Sequence, residues 1–396
     1  MLKNIFIIVV FFFLQPIFAA DVPNQIHIEI KNKDSGYVTL KQRYDFDTPR
    51  VKFNEGEWTE AKLHTRGEHC VRPARKCLGF STDTHIAMRA PYGKMISGKA
   101  FILTSLTSDN GYINTKVGSL FLEELKLFHS TTLYVELFIN KKSQGLYLLM
   151  ENPEKALIKA TNTPFIARRG FKHVIEVKYY NKKQKTHTQE EFVQAYEEIY
   201  SNLKTYKGED LYNFLKQKMN IDHYMQWLAL NYYLKNGDFT DELFIFAVPN
   251  PDGSDKIYFD IAGWDFEDLF LSSHLSIQNI WNSELIKSSL VYSVEDSIDK
   301  KIAKDDVLNQ KFRNILFNLL TTEITDNSTV VNYKMVREEI SPYLDVQRIL
   351  DASVLDKPKV GVYTKNYILD LIDQRIRELS KRRVKTLKKL EYYSHK

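Results

Sequence analysis

Between Asn236 and Asp268 the chain reads NGDFTDELFIFAVPNPDGSDKIYFDIAGWDFED, and its acids are placed where they can do chemistry. Asp238 and Asp241–Glu242 stand just before the apolar run LFIFAV, and Asp265 and Glu267 just after the run KIYFDI. Both runs are strand-like, and PNPDGSD between them is turn chemistry, so the segment predicts a hairpin that returns the chain to its starting point. Five carboxylates then converge on one end and repel one another unless a cation is present. Oxygen-only clusters suit Mg²⁺ or Mn²⁺, which bind through one or two carboxylates together with substrate phosphates. Phosphoryl transfer needs such a set: one carboxylate to orient a hydroxyl and others to hold metal on the phosphates. Acids also gather at hairpin ends because loops are wet. Trp264 argues against that reading, since a large apolar ring beside Asp265 points to a partly buried acid.

The elements that must position these acids fall into two stretches. Residues 25–150 alternate apolar and polar positions in short runs such as QIHIEIKN, YVTLKQRY and HIAMRA, the pattern of a β-rich lobe. A helix is expected from Asn114 to Leu127, and LYVELFIN, KKSQ and GLYLLMEN form a hairpin that ends at Glu151. From about residue 188 the period becomes helical: EEFVQAYEEIYSNLKTY is amphipathic, and MNIDHYMQWLALNYYLKN is a more buried helix with Asn220 as N-cap. Everything after about 305 reads as helix. The expected fold is α+β, with a lobe over residues 21–165, a helical lobe over 166–396 that carries the acidic hairpin, and a nucleotide-sized cleft between them. The basic run KRRVKTLKK near the end is either a solvated helix face or a contact for an anionic surface.

The first residues carry a further expectation. Lys3, the apolar run IFIIVVFFFL and the break at Gln15-Pro16 have the form of a secretory signal cleaved after Ala19 or Ala20, with an uncleaved N-terminal anchor as the alternative. No later stretch is long and apolar enough to span a bilayer, so an exported protein is expected, either periplasmic, secreted or at the cell surface. A formal charge of +5 gives no reason to expect a nucleic-acid partner, and 24 Phe with 23 Tyr describe a packed globular chain. Cys70 and Cys77, the two cysteines, flank a Pro-containing loop; they form one disulfide or remain as two buried thiols.

Four segments resemble the CotH-like secreted protein kinases: HTRGEHCVRPARKCLGF, KAFILTSLTSDNGYINTKVGSLFLEEL, YVELFINKKSQGLYLLMEN, and the pair NYYLKNGDFTDELFIF with IAGWDFED. Together they cover roughly residues 60–270. The resemblance implies an atypical, two-lobed protein-kinase-like fold that uses ATP and Mg²⁺ or Mn²⁺ to phosphorylate Ser or Thr of an extracytoplasmic protein. It implies that Asp238 orients the acceptor hydroxyl and that Asp265 binds metal. It further implies that Glu151 pairs with a phosphate-contacting lysine, for which Lys76 is the candidate, with Arg66 as a second phosphate contact. Arg168 and Arg169, in FIARRG, are further candidates beside the nucleotide. No G-x-G-x-x-G loop is present, as the family's divergent lobe leads one to expect.

Two positions depart from the family pattern. Glu242 stands where an asparagine is usual, and Glu267 where an aspartate is more often found. Both keep an oxygen ligand, so both remain candidate metal ligands, but the extra charge at Glu242 also suits a non-catalytic pseudokinase or scaffold of an envelope or coat layer. A glycoside hydrolase using Asp238 with Asp265 is a third class; neither the lobe order nor the resemblance favours it.

Overall fold

The structure, a computed structural model, describes residues 23–31, 44–67, 75–127, 130–170, 174–184, 186–271, 282–354 and 364–394. The proposed signal segment and Cys70 lie outside the described residues. Cys77 is disulfide-bonded, and Cys70 is the only other cysteine in the sequence.

Seven strands close into a barrel: β1 (Gln25–Glu29), β2 (Arg50–Phe53), β3 (Thr59–Arg66), β4 (Cys77–Arg89), β5 (Met95–Thr104), β6 (Thr132–Ile139) and β7 (Lys142–Glu151), in the order β1-β2-β3-β4-β5-β7-β6. Closure comes from β1, which pairs antiparallel with β2 and parallel with β6. The β6–β7 turn is Asn140-Lys141, with φ of 48° and 67°, rather than the KKSQ stretch. Two left-handed residues match the twist of a two-residue hairpin, and Asn tolerates that conformation. The Asn140 side chain also exchanges hydrogen bonds with the backbone of Ile30, which ties the turn to the end of β1. Strand alternation sends Leu63, Leu78, Phe80, Phe101 and Leu149 into the barrel, where they pack as one cluster.

Between β5 and β6 runs helix α1 (Asn114–Glu124), as expected from its apolar spacing. It packs on the barrel's outer face, within a second and larger core. Helix α2 (Pro153–Thr161) follows the barrel and leads to a four-stranded antiparallel sheet of β8 (Phe165–Arg169), β9 (Ile175–Tyr180), β10 (Leu243–Val248) and β11 (Tyr258–Gly263), in the order β11-β10-β8-β9. The acidic hairpin is thus the β10–β11 pair of a sheet whose other half, FIARRG and its partner, carries too short an apolar run to announce itself. Helices α3 (Gln189–Asn202), α4 (Gly208–Lys218) and α5 (Ile221–Leu234) separate the two halves in sequence. Asn220 caps α5, its side chain accepting from His223 N.

The remaining helices are α6 (Ser283–Ser289), α7 (Ser297–Lys304), α8 (Asp306–Asn318), α9 (Asp326–Leu344), α10 (Gln347–Ser353) and α11 (Lys365–Ser394). The class is α+β, but the β-rich part is a closed barrel, and the plain two-lobed division expected from sequence is not what forms. Helices α9 and α10 return to the barrel: Glu339 accepts from Tyr134 N, Arg348 forks onto Glu136, and Ser353 accepts from Leu146 N. Late-sequence helices thereby bury the outer face of β6 and β7. In the basic run of α11, Arg382 and Arg383 turn inward to the carbonyls of Tyr233 and Leu320, while Lys381, Lys385, Lys388 and Lys389 face solvent. Among the described residues no helix is long and apolar enough to cross a membrane.

Candidate functional site

The acidic end is assembled from backbone outward. Helix α5 stops at Lys235, whose left-handed φ of 53° turns the chain away. Asn236 is fully buried and fixes the turn, its amide donating to the Asn231 side chain at 3.0 Å. Gly237 N then donates to Asp268 O at 2.8 Å, and Phe270 N to Leu234 O at 3.0 Å, so the segment carrying Asp238 lies against the segment that follows β11. Glycine suits the approach: a Cβ at position 237 would lie 2.2 Å from Leu271 Cδ1 and would force that side chain to move.

The hairpin register brings the other acids in. Leu243 faces Gly263, so Glu242 and Trp264 are opposite each other just beyond the ladder, with Trp264 N 3.4 Å from Glu242 O. Asp265 sits at φ 55°, an uncommon left-handed conformation for a residue with a Cβ. On one side of it, the Trp264 ring lies 5.4 Å from the Arg66 guanidinium and 5.8 Å from that of Arg168. On the other side Phe266 is buried against α1, at Gly118. The first turn of that helix is held by Asp109, whose two carboxylate oxygens accept from Asn114 N (2.9 Å) and Thr115 N (2.8 Å). The Asn114 side chain in turn donates to Glu267 O at 3.1 Å.

Electrostatics follow from this crowding. Burial pushes the Asp265 carboxyl up to about 6, with Arg66 opposing the shift and Asp268 adding to it. Glu267 is pushed up to about 9, first by burial and then by Asp265, Asp268, Asp109 and Asp238. Glu242 is raised well above the carboxylate range by burial and by Asp265, and Arg168 pulls against that. The cations here are thus Arg66, itself lowered by burial, and Arg168, which donates to Glu242 Oε1 at 2.9 Å. Buried atoms Glu242 Oε2 and Asn114 Oδ1 have no hydrogen-bond partner. Unmet oxygens and mutually repelling carboxyls fit a hard divalent cation. Among the described residues no group of three or more His, Cys, Asp or Glu is placed to hold a metal ion.

Of the residues singled out in the sequence, Asp238, Glu242, Asp265, Glu267 and Arg66 are brought to one place. Lys76 and Glu151 are not brought to each other. Cys77 is level with Arg66, whereas Glu151 is level with Phe101 and Phe80. Lys76 is therefore displaced from Glu151 by four residues along the sheet, roughly 13 Å, and by two strands, roughly 10 Å. Glu151 Oε2 takes Lys159 Nζ as its cation at 3.7 Å, and Lys76 is buried, 2% exposed. The lysine–glutamate clamp expected from the resemblance is corrected accordingly. One acid was missed, Asp268, visible in WDFED as a third acid after the hairpin; Asp109 is the Asp that precedes the helix in the segment KAFILTSLTSDNGYINTKVGSLFLEEL. Arg168 lies at the site, while Arg169 is buried behind it, donating to Thr240 O and Tyr224 Oη.

A barrel and a second sheet thus bring a group of carboxylates together beside Arg66 and Arg168 in an α+β protein. A family model described as CotH kinase protein matches residues 63–379, most of the chain. The chain belongs to the CotH kinase family. A comparison with curated proteins gives no match.

Proposed function

We propose that this protein is an exported, metal-dependent kinase that transfers the γ-phosphoryl group of ATP to Ser or Thr of an extracytoplasmic protein. The observation that carries the reading is the convergence of Asp238, Glu242, Asp265 and Glu267 beside Arg66, with Glu242 Oε2 buried and unmet. Asp265, with Glu242 or Glu267, would hold the divalent ion, which supplies charge neutralisation on the phosphates when bound. Arg66 is placed to meet phosphate oxygens, since its guanidinium already lies against the Asp265 end of the site. Asp238, half-buried, would orient the acceptor hydroxyl and take its proton. Trp264 and Phe266 exclude water from behind Asp265 and so strengthen each of these interactions.

Calorimetry of ATP and AMP-PNP binding, run separately with Mg²⁺ and Mn²⁺, tests the site. Asp265→Asn should abolish metal-dependent binding. Asp238→Asn should keep binding and lose phosphoryl transfer to a Ser/Thr protein. Absence of nucleotide binding with either metal would refute the kinase reading. The ion pair that already occupies Glu242 favours the second reading, a pseudokinase scaffold; nucleotide binding without transfer by the unaltered protein would select it.

A further inference from the structure

The C-terminal half of α11 has two faces put to opposite uses. Leu379, Arg382, Arg383, Thr386 and Leu390 recur at helical spacing on the inward face. Leu379, Thr386 and Leu390 are buried there, and the two guanidiniums donate to the carbonyls of Tyr233 and Leu320. Lys381, Val384, Lys385, Lys388, Lys389 and Tyr392, at i, i+3, i+4, i+7, i+8 and i+11, form one exposed stripe roughly 16 Å long. Val384 is 46% exposed and Tyr392 56%. None of the four lysines has an ion pair among the described residues, and the acid one turn before them, Glu378, is taken by Arg375 at 2.6 Å. A fifth ammonium stands beside them. Lys235, at the C-cap of α5, is pulled down by burial and then by the charges of Arg382 and Lys385, with Glu378 opposing. Cations are gathered here without matching acids, and an external anionic surface would relieve their repulsion.

We propose that this stripe docks the protein on a bilayer that carries anionic headgroups, with α11 lying along the membrane surface. Lysines are compact, strongly hydrated charges on flexible stems, which suit a diffuse field better than a fork-shaped acceptor, and both arginines of the run are committed inward. Charge occupies the middle of the stripe, where the core of a protein interface would be depleted of it. Val384 and Tyr392 add an aliphatic side chain and a ring with a polar tip, the pair of features that settles at headgroup level. The stripe takes no part in nucleotide chemistry, so the inference is independent of the kinase reading.

The test is sedimentation of the mature protein with vesicles of phosphatidylcholine alone and of phosphatidylcholine mixed with phosphatidylglycerol. The anionic vesicles should carry the protein down, the neutral ones should not, and high salt should release it. A lysine near an anionic surface contributes about fivefold in affinity, so Lys381→Gln/Lys385→Gln should weaken binding about 25-fold. Replacing all four lysines with Gln should reduce it to the level of neutral vesicles, and Lys388→Arg/Lys389→Arg, which keeps the charge, should bind as before. Lys62→Gln/Lys99→Gln, exposed on β3 and β5 of the barrel, should change binding by less than about twofold. Equal binding to both kinds of vesicle, or equal losses in the α11 and barrel doubles, would overturn the proposal. So would capture by immobilised polyglutamate without capture by anionic vesicles, which would make the stripe a protein-docking surface instead. Should the fourfold variant lose its cooperative melt, the comparison of the two doubles decides.

Discussion

Replacing Gly118 with alanine tests whether α1 sets the position of the metal-side acid. An added Cβ would lie 2.3 Å from Phe266 Cβ. A Cβ is fixed to its backbone, so no rotamer change at Phe266 relieves the contact; the backbone at position 266 must retreat by about 1 Å (3.4 − 2.3) to restore an ordinary contact. Asp265 is the preceding residue and already occupies a left-handed conformation, so the retreat is passed to it directly. In an open helix this substitution stabilises by about 1 kcal/mol through backbone entropy. Overpacking costs about 1–3 kcal/mol, so the net expectation is a loss of up to about 2 kcal/mol by urea denaturation. Displacement of a reacting constellation by about 1 Å costs on the order of 100-fold, so metal-dependent transfer should fall by that factor. Mn²⁺·AMP-PNP affinity, measured by calorimetry, should fall with it. A variant that gains about 1 kcal/mol and binds metal nucleotide as before would refute the reasoning, because it would mean that Phe266 is not packed tightly under α1.

Metal binding should strengthen as pH rises. Asp265 and Glu267 have folded-state pKa values raised to about 6 and about 9, above the unfolded carboxylates. Their contribution to apo stability is therefore full below about pH 4 and is lost progressively as pH rises toward those values. The apo melting temperature should drop across that window, with Mn²⁺ reversing the drop and releasing protons, detectable as a buffer-dependent calorimetric enthalpy. Lys116→Met should destabilise by about 3–5 kcal/mol, because Lys116 Nζ pairs with Glu339 Oε2 at 2.7 Å with both side chains buried, and Lys116→Met/Glu339→Leu should recover most of the loss. Arg348→Ala should cost about 1–2 kcal/mol, because Arg348 is 56% exposed while the Glu136 it forks onto has no exposure. A loss under about 0.5 kcal/mol in denaturation would show that Ser143, which also donates to Glu136, suffices.

What was legible in the sequence was local. The acidic hairpin announces itself because turn residues and alternating apolar runs are short-range signals, and its register follows from them, so the meeting of Glu242 with Trp264 could be foreseen. The Asn220 cap and the termination of β7 at Glu151 are of the same kind. Barrel closure was not legible, because the β1–β6 pairing joins strands more than a hundred residues apart and leaves no mark in either run. The Lys76–Glu151 assignment failed for a related reason: family order places residues along the chain, but only sheet register decides whether they share a level. Arg168 shows the limit most directly. Its charge was visible, and its role as the partner of Glu242 depends on β8 pairing with β10 across α3, α4 and α5.

The same non-local packing explains why the site is sensitive to residues that never touch substrate. Its acids come from the loop after α5 and from the end of β11, its cations from β3 of the barrel and from β8 of the second sheet. The second sheet carries both signs of charge, and the barrel adds Arg66. The connection between them is α1, held to the barrel on one flank by Lys116, which donates to Thr132 O at the start of β6 and pairs with Glu339 of α9, and to the acidic end by Asn114, Gly118 and Phe266 on the other. A shift of α1 relative to the second sheet would move Asp265 and Glu267 away from Arg66 without disturbing the fold of the barrel. The left-handed backbone at Asp265 serves both neighbours: Trp264 keeps its ring within 6 Å of the Arg66 and Arg168 guanidiniums while Phe266, two residues later, fills the space that Gly118 leaves.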